Sequence, residues 1–232
     1  MSSETTRQEV LFRLKKAAPE PAFQRVTPFP EPKKEAVVEL FCTHLAMQGF
    51  SLHRSKDEEG FFSQLSEVVA AEKITKVAVA EKKGGDKKAF QAWAEAKGVE
   101  LRMAWADGLK AYRDDLFSWA DAGFTHVDGA AAETGSLLLS HGPLQPRMVS
   151  LAPEIHLAVV DASDISMAPS EALKKAMAPG EKPSQVTFIS GPSLTADIRA
   201  TPFYGMHGPR KVFVFLREQT AAVAEKQGEN HG

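Results

Sequence analysis

The sequence predicts an α/β fold that is built around a largely parallel β-sheet. Short apolar segments of the length of buried strands recur along the chain, and segments with helical spacing of apolar residues alternate with several of them. Because parallel strands must be joined by a crossover, usually a helix, this alternation favours strand–helix–strand units. The predicted strands cover residues 76–80, 99–103, 155–160, 186–189 and 212–216.

Helices are predicted ahead of these strands and between them. The segment 33–48 places Val37, Phe41 and Leu45 on one face and ends at Gly49, a residue that commonly terminates helices. The same reasoning predicts further helices at residues 6–17, 57–71, 89–97, 113–121 and 169–177.

The chain divides into three predicted parts. Residues 1–70 hold the N-terminal helices and a proline-rich arm at 18–32, which cannot continue a helix because proline lacks the backbone N–H donor. Residues 71–218 hold the strand–helix alternation and form the predicted α/β domain. Residues 219–232 are a polar tail. A chain of 232 residues is long enough to bury one substantial core.

Composition and charge restrict the class of protein. The chain is 43% hydrophobic and 25% charged, which is ordinary for a soluble globular protein. Its formal net charge of −2 gives no reason to expect nucleic acid or an anionic membrane as a partner. No apolar run approaches the roughly 20 residues that cross a bilayer, and the first residues lack the apolar core of a signal peptide. We therefore expect a cytoplasmic protein without a membrane span.

Several cofactor classes lack their sequence signatures. Cys42 is the only cysteine, so this chain alone offers neither a thiolate zinc site nor an iron–sulfur cluster, and we expect a buried, inert thiol. His126 and His141 lack metal-ligand spacing, and we predict no metal site. The chain contains neither a Gly-x-Gly-x-x-Gly fingerprint after an early strand nor a P-loop pattern.

The first candidate site is a glycine-containing turn that leads directly into an apolar strand. Glu133, Thr134, Gly135 and Ser136 precede Leu137. A strand end of this composition lets backbone N–H groups converge on an anion, with the two hydroxyls as further donors. Glu133 would act as an acceptor, a base or a nucleophile. The alternative is a turn whose hydroxyls satisfy only their own backbone.

The second candidate site follows the predicted strand 186–189. Gly191 permits close approach of the backbone. Asp197 could orient a ligand hydroxyl, take up a proton or fix the loop, and Ser193 could instead cap a following helix. The candidate ligand-binding residues of this loop are Ser190, Gly191, Ser193 and Thr195.

Three further side chains are polar residues of interest outside these two sets. His207 lies between turn residues just before the last predicted strand, where it could act in acid–base chemistry, contact an anion or lock the turn. Arg147 could clamp a carboxylate or a phosphate, with a surface salt bridge as the alternative. We interpret His156, inside the predicted strand 155–160, as a satisfied sheet residue.

In this order and at these intervals, the motifs resemble the LUD-domain family and, within it, the C components of bacterial L-lactate utilisation systems. The resemblance rests on residues 132–138, on Arg147 with 150–153 and 155–160, and on 189–198 with 205–209. The segment 201–204 departs from the aliphatic segment that is usual in the family, and the N-terminal helix also looks like the start of that family. Ser136 stands where the family commonly has Thr, which keeps the hydroxyl. The resemblance implies a Rossmann-like three-layer α/β sandwich with an N-terminal helical extension. Such a fold is similar to ribose-5-phosphate isomerase and CoA-transferase enzymes, with the ligand at the strand ends.

The same resemblance implies a function and partners. The chain would be a subunit of an iron–sulfur-dependent system that oxidises L-lactate to pyruvate, with the clusters in its A and B partner components and none in this chain. The two loops and Arg147 would hold an anionic small molecule, and Glu133, Asp197 or His207 would handle protons. Two alternatives stay open. One is a stand-alone enzyme acting on a sugar phosphate or a CoA thioester with Glu133 as base or nucleophile, and the other is an assembly module with a vestigial pocket.

Overall fold

The computed structural model describes residues 7–9, 12, 33–80, 87–103, 116, 118–177, 183–196 and 202–218. The chain forms two compact units, Met1–Pro32 and Lys33–Gly232. In the first unit, residues 7–9 and 12 are helical, in agreement with the helix predicted there. The predicted proline-rich arm and the predicted polar tail lie outside the described residues.

The second unit is organised around a six-stranded sheet. Its strands are β1 (Ser51–Ser55), β2 (Lys76–Val79), β3 (Glu100–Met103), β4 (Ala122–His126), β7 (Ile155–Asp161) and β12 (Lys211–Arg217). They lie in the order β1-β12-β7-β4-β2-β3, and every neighbouring pair is parallel. The predicted α/β fold with a largely parallel sheet is confirmed.

Both faces of this sheet are covered by other elements. Side chains alternate between the two faces along each strand, so neighbouring residues of one strand join different cores. In β7, Ala158 and Val160 join the core that helix Lys34–Met47 covers. Leu157 and Val159 join the core that helices Glu58–Ala71 and Lys87–Lys97 cover. The sheet is therefore buried on both sides, as parallel sheets usually are. The helices of this unit are α1 (Lys34–Met47), α2 (Glu58–Ala71), α3 (Lys87–Lys97) and α4 (Pro169–Ala176).

A smaller sheet of four strands brings the two motifs together. Its strands are β5 (Gly129–Ala131), β6 (Ser136–His141), β8 (Ile165–Ser166) and β9 (Gln185–Ile189), in the order β8-β5-β6-β9. β6 and β9 are antiparallel, and Leu137 pairs with Ile189. The start of β6 therefore lies beside the end of β9. Because the first motif precedes β6 and the second follows β9, both motifs lie at the same end of this sheet.

The second motif runs on into a short antiparallel ribbon. β10 (Leu194–Ala196) and β11 (Pro202–Tyr204) form this ribbon, which we call the β10–β11 ribbon. Leu194 pairs with Tyr204, and Thr195 pairs with Phe203.

β4 lies outside the predicted strands, because its sequence Ala-Gly-Phe-Thr-His contains a glycine and a single β-branched residue. The glycine has a packing reason. A Cβ built on Gly123 would lie 1.8 Å from the carbonyl oxygen of Val149. Only glycine therefore lets the 3₁₀ helix Arg147–Ser150 approach the sheet this closely.

The described ranges contain no helix that is long and apolar enough to span a membrane. Cys42 is a free, buried cysteine on α1, and burial raises the pKa of its thiol. A raised pKa disfavours the thiolate, which is the reactive form, so Cys42 fits the predicted role of an inert core residue.

Candidate functional site

The hydroxyls of the two motifs meet at the end of the smaller sheet. The Ser136 Oγ lies 2.8 Å from the Thr134 Oγ1 and 2.7 Å from the Ser190 Oγ. The Ser136 hydroxyl donates to Thr134, so Ser190 donates to Ser136 and the Thr134 hydroxyl keeps its proton for an outside acceptor. Since Thr134 is exposed, this hydroxyl relay of three side chains offers one O–H donor to a ligand.

Both motif glycines lie against the C-terminal end of α1. Gly135 has a φ of +58°, and a Cβ built on it would lie 2.7 Å from the carbonyl carbon of His44. Gly191 has a φ of +129°, and its Cβ would lie 2.8 Å from the carbonyl oxygen of Gln48. Any larger residue would have to displace the helix backbone at these points. Close packing on α1 therefore explains the glycine at both positions.

Two α1 side chains that the sequence reasoning missed fasten the first motif. His44 Nδ1 lies 2.6 Å from the carbonyl oxygen of Ala132, and Gln48 Nε2 donates to the carbonyl oxygen of Thr134. Because a carbonyl only accepts, the His44 Nδ1 carries a proton. The one sequence signal for this pair is its spacing of four residues, which places both side chains on the same face of a helix.

The electrostatics of the first motif differ from those of a backbone anion site. The Glu133 N–H donates to the Met167 carbonyl at 3.0 Å, and the Gly135 N–H donates to the Ala132 carbonyl at 3.3 Å. The C-terminal end of α1 also carries partial negative charge. The N–H groups of Glu133 and Gly135 are therefore bonded within the fold, and the convergence of backbone N–H groups on an anion stays a prediction. The exposed polar side chains at this turn are those of Glu133 and Thr134.

Ser193 holds the loop of the second motif closed. Its N–H donates to the Pro209 carbonyl at 2.8 Å, and its own carbonyl accepts from the Gly205 N–H at 2.9 Å. The Ser193 Oγ accepts from the His207 N–H at 3.2 Å. The hypothesis that Ser193 caps a helix is wrong, because β10 follows it. These bonds bring the exposed side chain of His207 to the loop that follows Ser190.

The remaining residues of the second motif lie on or near the ribbon. Thr195 is exposed in the middle of β10, opposite Phe203. Asp197 lies outside the described residues, so its role in orienting a ligand or moving a proton stays a prediction.

Arg147 is not brought to the hydroxyl relay. It begins a 3₁₀ helix, is exposed, and donates from Nη1 to the Gln185 Oε1 at 3.1 Å. Gln185 begins β9, whereas Ser190 follows its end. At about 3.3 Å per strand residue these two positions are roughly 16 Å apart. The structure thus assigns Arg147 to the other end of the smaller sheet, away from the small anion that it was predicted to clamp together with Ser136.

A buried polar cluster occupies that other end. The Asp128 Oδ2 accepts from the Ser140 N–H at 2.7 Å and from the Gln145 Nε2 at 2.9 Å. The His141 Nε2 lies 3.0 Å from the Thr187 Oγ1, and burial lowers the pKa of His141. These bonds tie three segments together, which indicates a structural role. Neither here nor elsewhere in the described ranges are three His, Cys, Asp or Glu side chains grouped so that they could hold a metal ion.

His156 is fully buried in β7. Its Nε2 lies 2.8 Å from the Thr125 Oγ1 of β4, and its Nδ1 lacks a hydrogen-bond partner among the residues that the structure describes. Removal from water lowers the pKa of His156 to about 3, so the ring is neutral. It is a sheet residue, as predicted, and one of its two nitrogens is satisfied.

The fold and the loops together define a class of protein. It is a parallel α/β protein in which a second, mixed sheet carries the candidate site on loops at one end. The LUD domain family matches residues 38–216. The chain belongs to this family.

Curated relatives match parts of the chain. An uncharacterized protein of Neisseria meningitidis serogroup B is 36% identical over 118 residues, which cover 48% of each chain. Lactate utilization protein C 1 of Bacillus mycoides is 36% identical over 128 residues, or 53% of this chain and 55% of the relative. Lactate utilization protein C of Halalkalibacterium halodurans is 38% identical over 105 residues, or 43% and 46%. The chain spans about half the length of the curated relatives that it matches.

A solved structure shares the fold. A protein of the DUF162 family from Deinococcus radiodurans superposes with a TM-score of 0.58 at 20% sequence identity. The match covers 81% of this chain and 100% of the other. At this identity, the similarity supports the architecture alone.

Proposed function

We propose that this chain works in L-lactate utilisation, as a subunit of a system that oxidises L-lactate to pyruvate. Membership of the LUD domain family supports this proposal, as do relatives named Lactate utilization protein C in Bacillus mycoides and Halalkalibacterium halodurans. The geometric observation that carries it is the hydroxyl relay, in which both family motifs contribute a side chain to one exposed donor.

The relay suits a small carboxylate ligand, such as that of L-lactate or pyruvate. A carboxylate oxygen accepts the O–H that Thr134 has free, and the chain of hydroxyls polarises this donor. Since the N–H groups of Glu133 and Gly135 are occupied, we assign the bond from the first motif to the ligand to a hydroxyl. Glu133 and His207, both exposed near the two motifs, are the proposed proton-handling groups, together with Asp197.

The redox centres of the proposed system lie in partner proteins. An iron–sulfur cluster needs several thiolate ligands, and this chain has one cysteine, Cys42, which is buried. We assign the clusters to the A and B components of the system, and we assign the assembly to the cytoplasm. This chain would then supply ligand binding and proton transfer while electrons pass through its partners.

The proposal is tested by L-lactate oxidation in extracts of cells that lack this chain. Purified full-length protein is added back in increasing amounts, and the pyruvate formed from L-lactate is measured. The expected result is a rate that rises with the added protein until the partners are saturated. A rate that is the same with and without the protein would contradict the proposal.

A second assay separates this proposal from the stand-alone enzyme. The purified chain alone is incubated with a panel of sugar phosphates and CoA thioesters, and turnover is followed. No turnover is expected, because the proposed oxidation needs the partner clusters. Turnover without an added cofactor, combined with no effect on lactate oxidation, would instead favour the stand-alone enzyme.

A further inference from the structure

The β10–β11 ribbon and the turn after it carry a concentration of exposed apolar side chains. Leu194, Phe203, Tyr204 and Met206 are 58%, 47%, 56% and 63% exposed. They make up four of the eight large hydrophobic side chains that the described residues expose. Scattered exposed apolar residues are normal on a protein surface, whereas a cluster of them marks an interaction site.

The ribbon is apolar on both of its faces. Leu194 and Tyr204 are cross-strand partners and share one face, and Phe203, as the neighbour of Tyr204, lies on the other. A two-stranded ribbon is marginally stable by itself. In the part of the chain that the structure describes, β10 and β11 pair only with each other. A partner that covers all of these side chains contacts both faces of the ribbon, which a flat surface does not do.

The absence of charge on the ribbon selects the kind of partner. Neither strand contains a charged residue, and the following Gly205 and Met206 are also uncharged. The segment 197–201, which joins the two strands, contains one acidic and one basic residue, Asp197 and Arg199, and so adds no net charge. A partner that is recognised by charge complementarity therefore finds no charged side chain on the two strands themselves. A second copy of the same ribbon offers the matching apolar surface without a net charge that would repel it.

The available area fits a dimer of standard size. Such an interface takes about 800 Å² from each partner, of which a little over half, or about 450 Å², is apolar. A large side chain presents on the order of 200 Å². Because Leu194, Phe203, Tyr204 and Met206 are each about half exposed, they supply roughly 400 Å² of apolar surface.

We infer that two copies of this chain associate through the β10–β11 ribbon about a two-fold axis. A two-fold contact uses the same patch on both copies and closes after two. Ser193 and Gly205, which bond each other at the base of the ribbon, connect the interface to the second motif. The dimer would therefore carry two candidate sites next to its interface. This inference does not rest on the proposed function.

The test is sedimentation equilibrium of the purified full-length chain, compared with two matched variants. Leu194→Glu places a charge in the proposed interface. Met177→Glu places the same charge on a side chain that is 54% exposed just beyond α4. We expect the native chain and Met177→Glu to dimerise equally, and we expect Leu194→Glu to raise the dimer Kd at least about a hundredfold, because it buries an unpaired carboxylate.

Two results would overturn the inference. One is a native chain that stays monomeric up to about 100 μM, a concentration at which even a weak dimer forms. The other is Leu194→Glu dimerising as well as Met177→Glu. Far-UV circular dichroism checks that each variant is folded. If Leu194→Glu does not fold, Phe203→Ser, which alters the opposite face of the ribbon, replaces it with the same expected direction.

Discussion

Replacing Gly135 by alanine tests whether close packing on α1 is what the first motif requires. The residue has a φ of +58°, where side chains other than glycine are strained. The new Cβ would also lie 2.8 Å from the His44 Cβ and 2.9 Å from the Leu45 nitrogen. Two separate penalties therefore act at one position.

Each penalty has a magnitude. A left-handed backbone costs a non-glycine residue about 1–2 kcal/mol, and forcing atoms into a packed interface costs about 1–3 kcal/mol as the neighbours shift. Together they lower the free energy of unfolding by about 3 kcal/mol. In a domain of this size that corresponds to a Tm about 6–12 °C lower. The shift of α1 would also weaken the His44–Ala132 hydrogen bond of 2.6 Å.

The assay is thermal unfolding followed by circular dichroism, with two glycines as internal controls. Gly98 has a φ of +68° but an open surrounding, so Gly98→Ala measures the conformational penalty alone. Gly142 has an open surrounding and no positive φ, so Gly142→Ala should leave the stability within about 0.5 kcal/mol. If Gly135→Ala is no more destabilising than Gly98→Ala, the reasoning about contact with α1 is refuted.

Three further predictions concern the buried sheet. Burial holds the pKa of His156 at about 3 in the folded state, so below pH 6.5 the unfolded state binds more protons than the folded state. The free energy of unfolding should therefore fall by about 2 kcal/mol as the pH is lowered from 6.5 to 4.5. His156→Gln should lose that part of the pH dependence in urea titrations, and an unchanged slope would contradict the assignment. Thr125→Val leaves the His156 Nε2 without its partner and should cost about 1–3 kcal/mol by urea unfolding, whereas a neutral effect would show that the bond contributes nothing. Gly123→Ala, whose Cβ would lie 1.8 Å from the Val149 oxygen, should prevent accumulation of folded protein, and a stable, folded variant would contradict the observed packing.

Much of the architecture follows from patterns that single elements display. The strands at 155–160 and 212–216 are continuous apolar runs because both of their faces are buried, and such runs are readable in sequence. β1 and β4 were not predicted as strands, for two different reasons. β1 is a short, largely polar edge strand, Ser-Leu-His-Arg-Ser, and β4 uses Gly123 to admit a 3₁₀ helix, so neither has the composition of a strand.

The candidate site was predictable only in part. The motifs predict which hydroxyls and glycines form the candidate site, and the antiparallel pairing of β6 and β9 brings Ser136 to Ser190. Sequence spacing could not show that Arg147 lies at the opposite end of β9, because that depends on how β6 and β9 pair. The hydrogen bond of His44 could not be predicted either, because His44 precedes its partner Ala132 by 88 positions in the sequence.

The central claim is that the hydroxyl relay serves L-lactate oxidation, and Thr134→Val tests it most directly. The variant removes the hydroxyl that the relay leaves free for a ligand, and Thr134→Ser, which keeps that hydroxyl, is the matched control. Each is added back to extracts that lack the chain. We predict that Thr134→Ser restores pyruvate formation fully, while Thr134→Val, equally well folded, restores it at least about tenfold less well, the loss expected for one ligand hydrogen bond. Equal restoration by the two variants would contradict the claim.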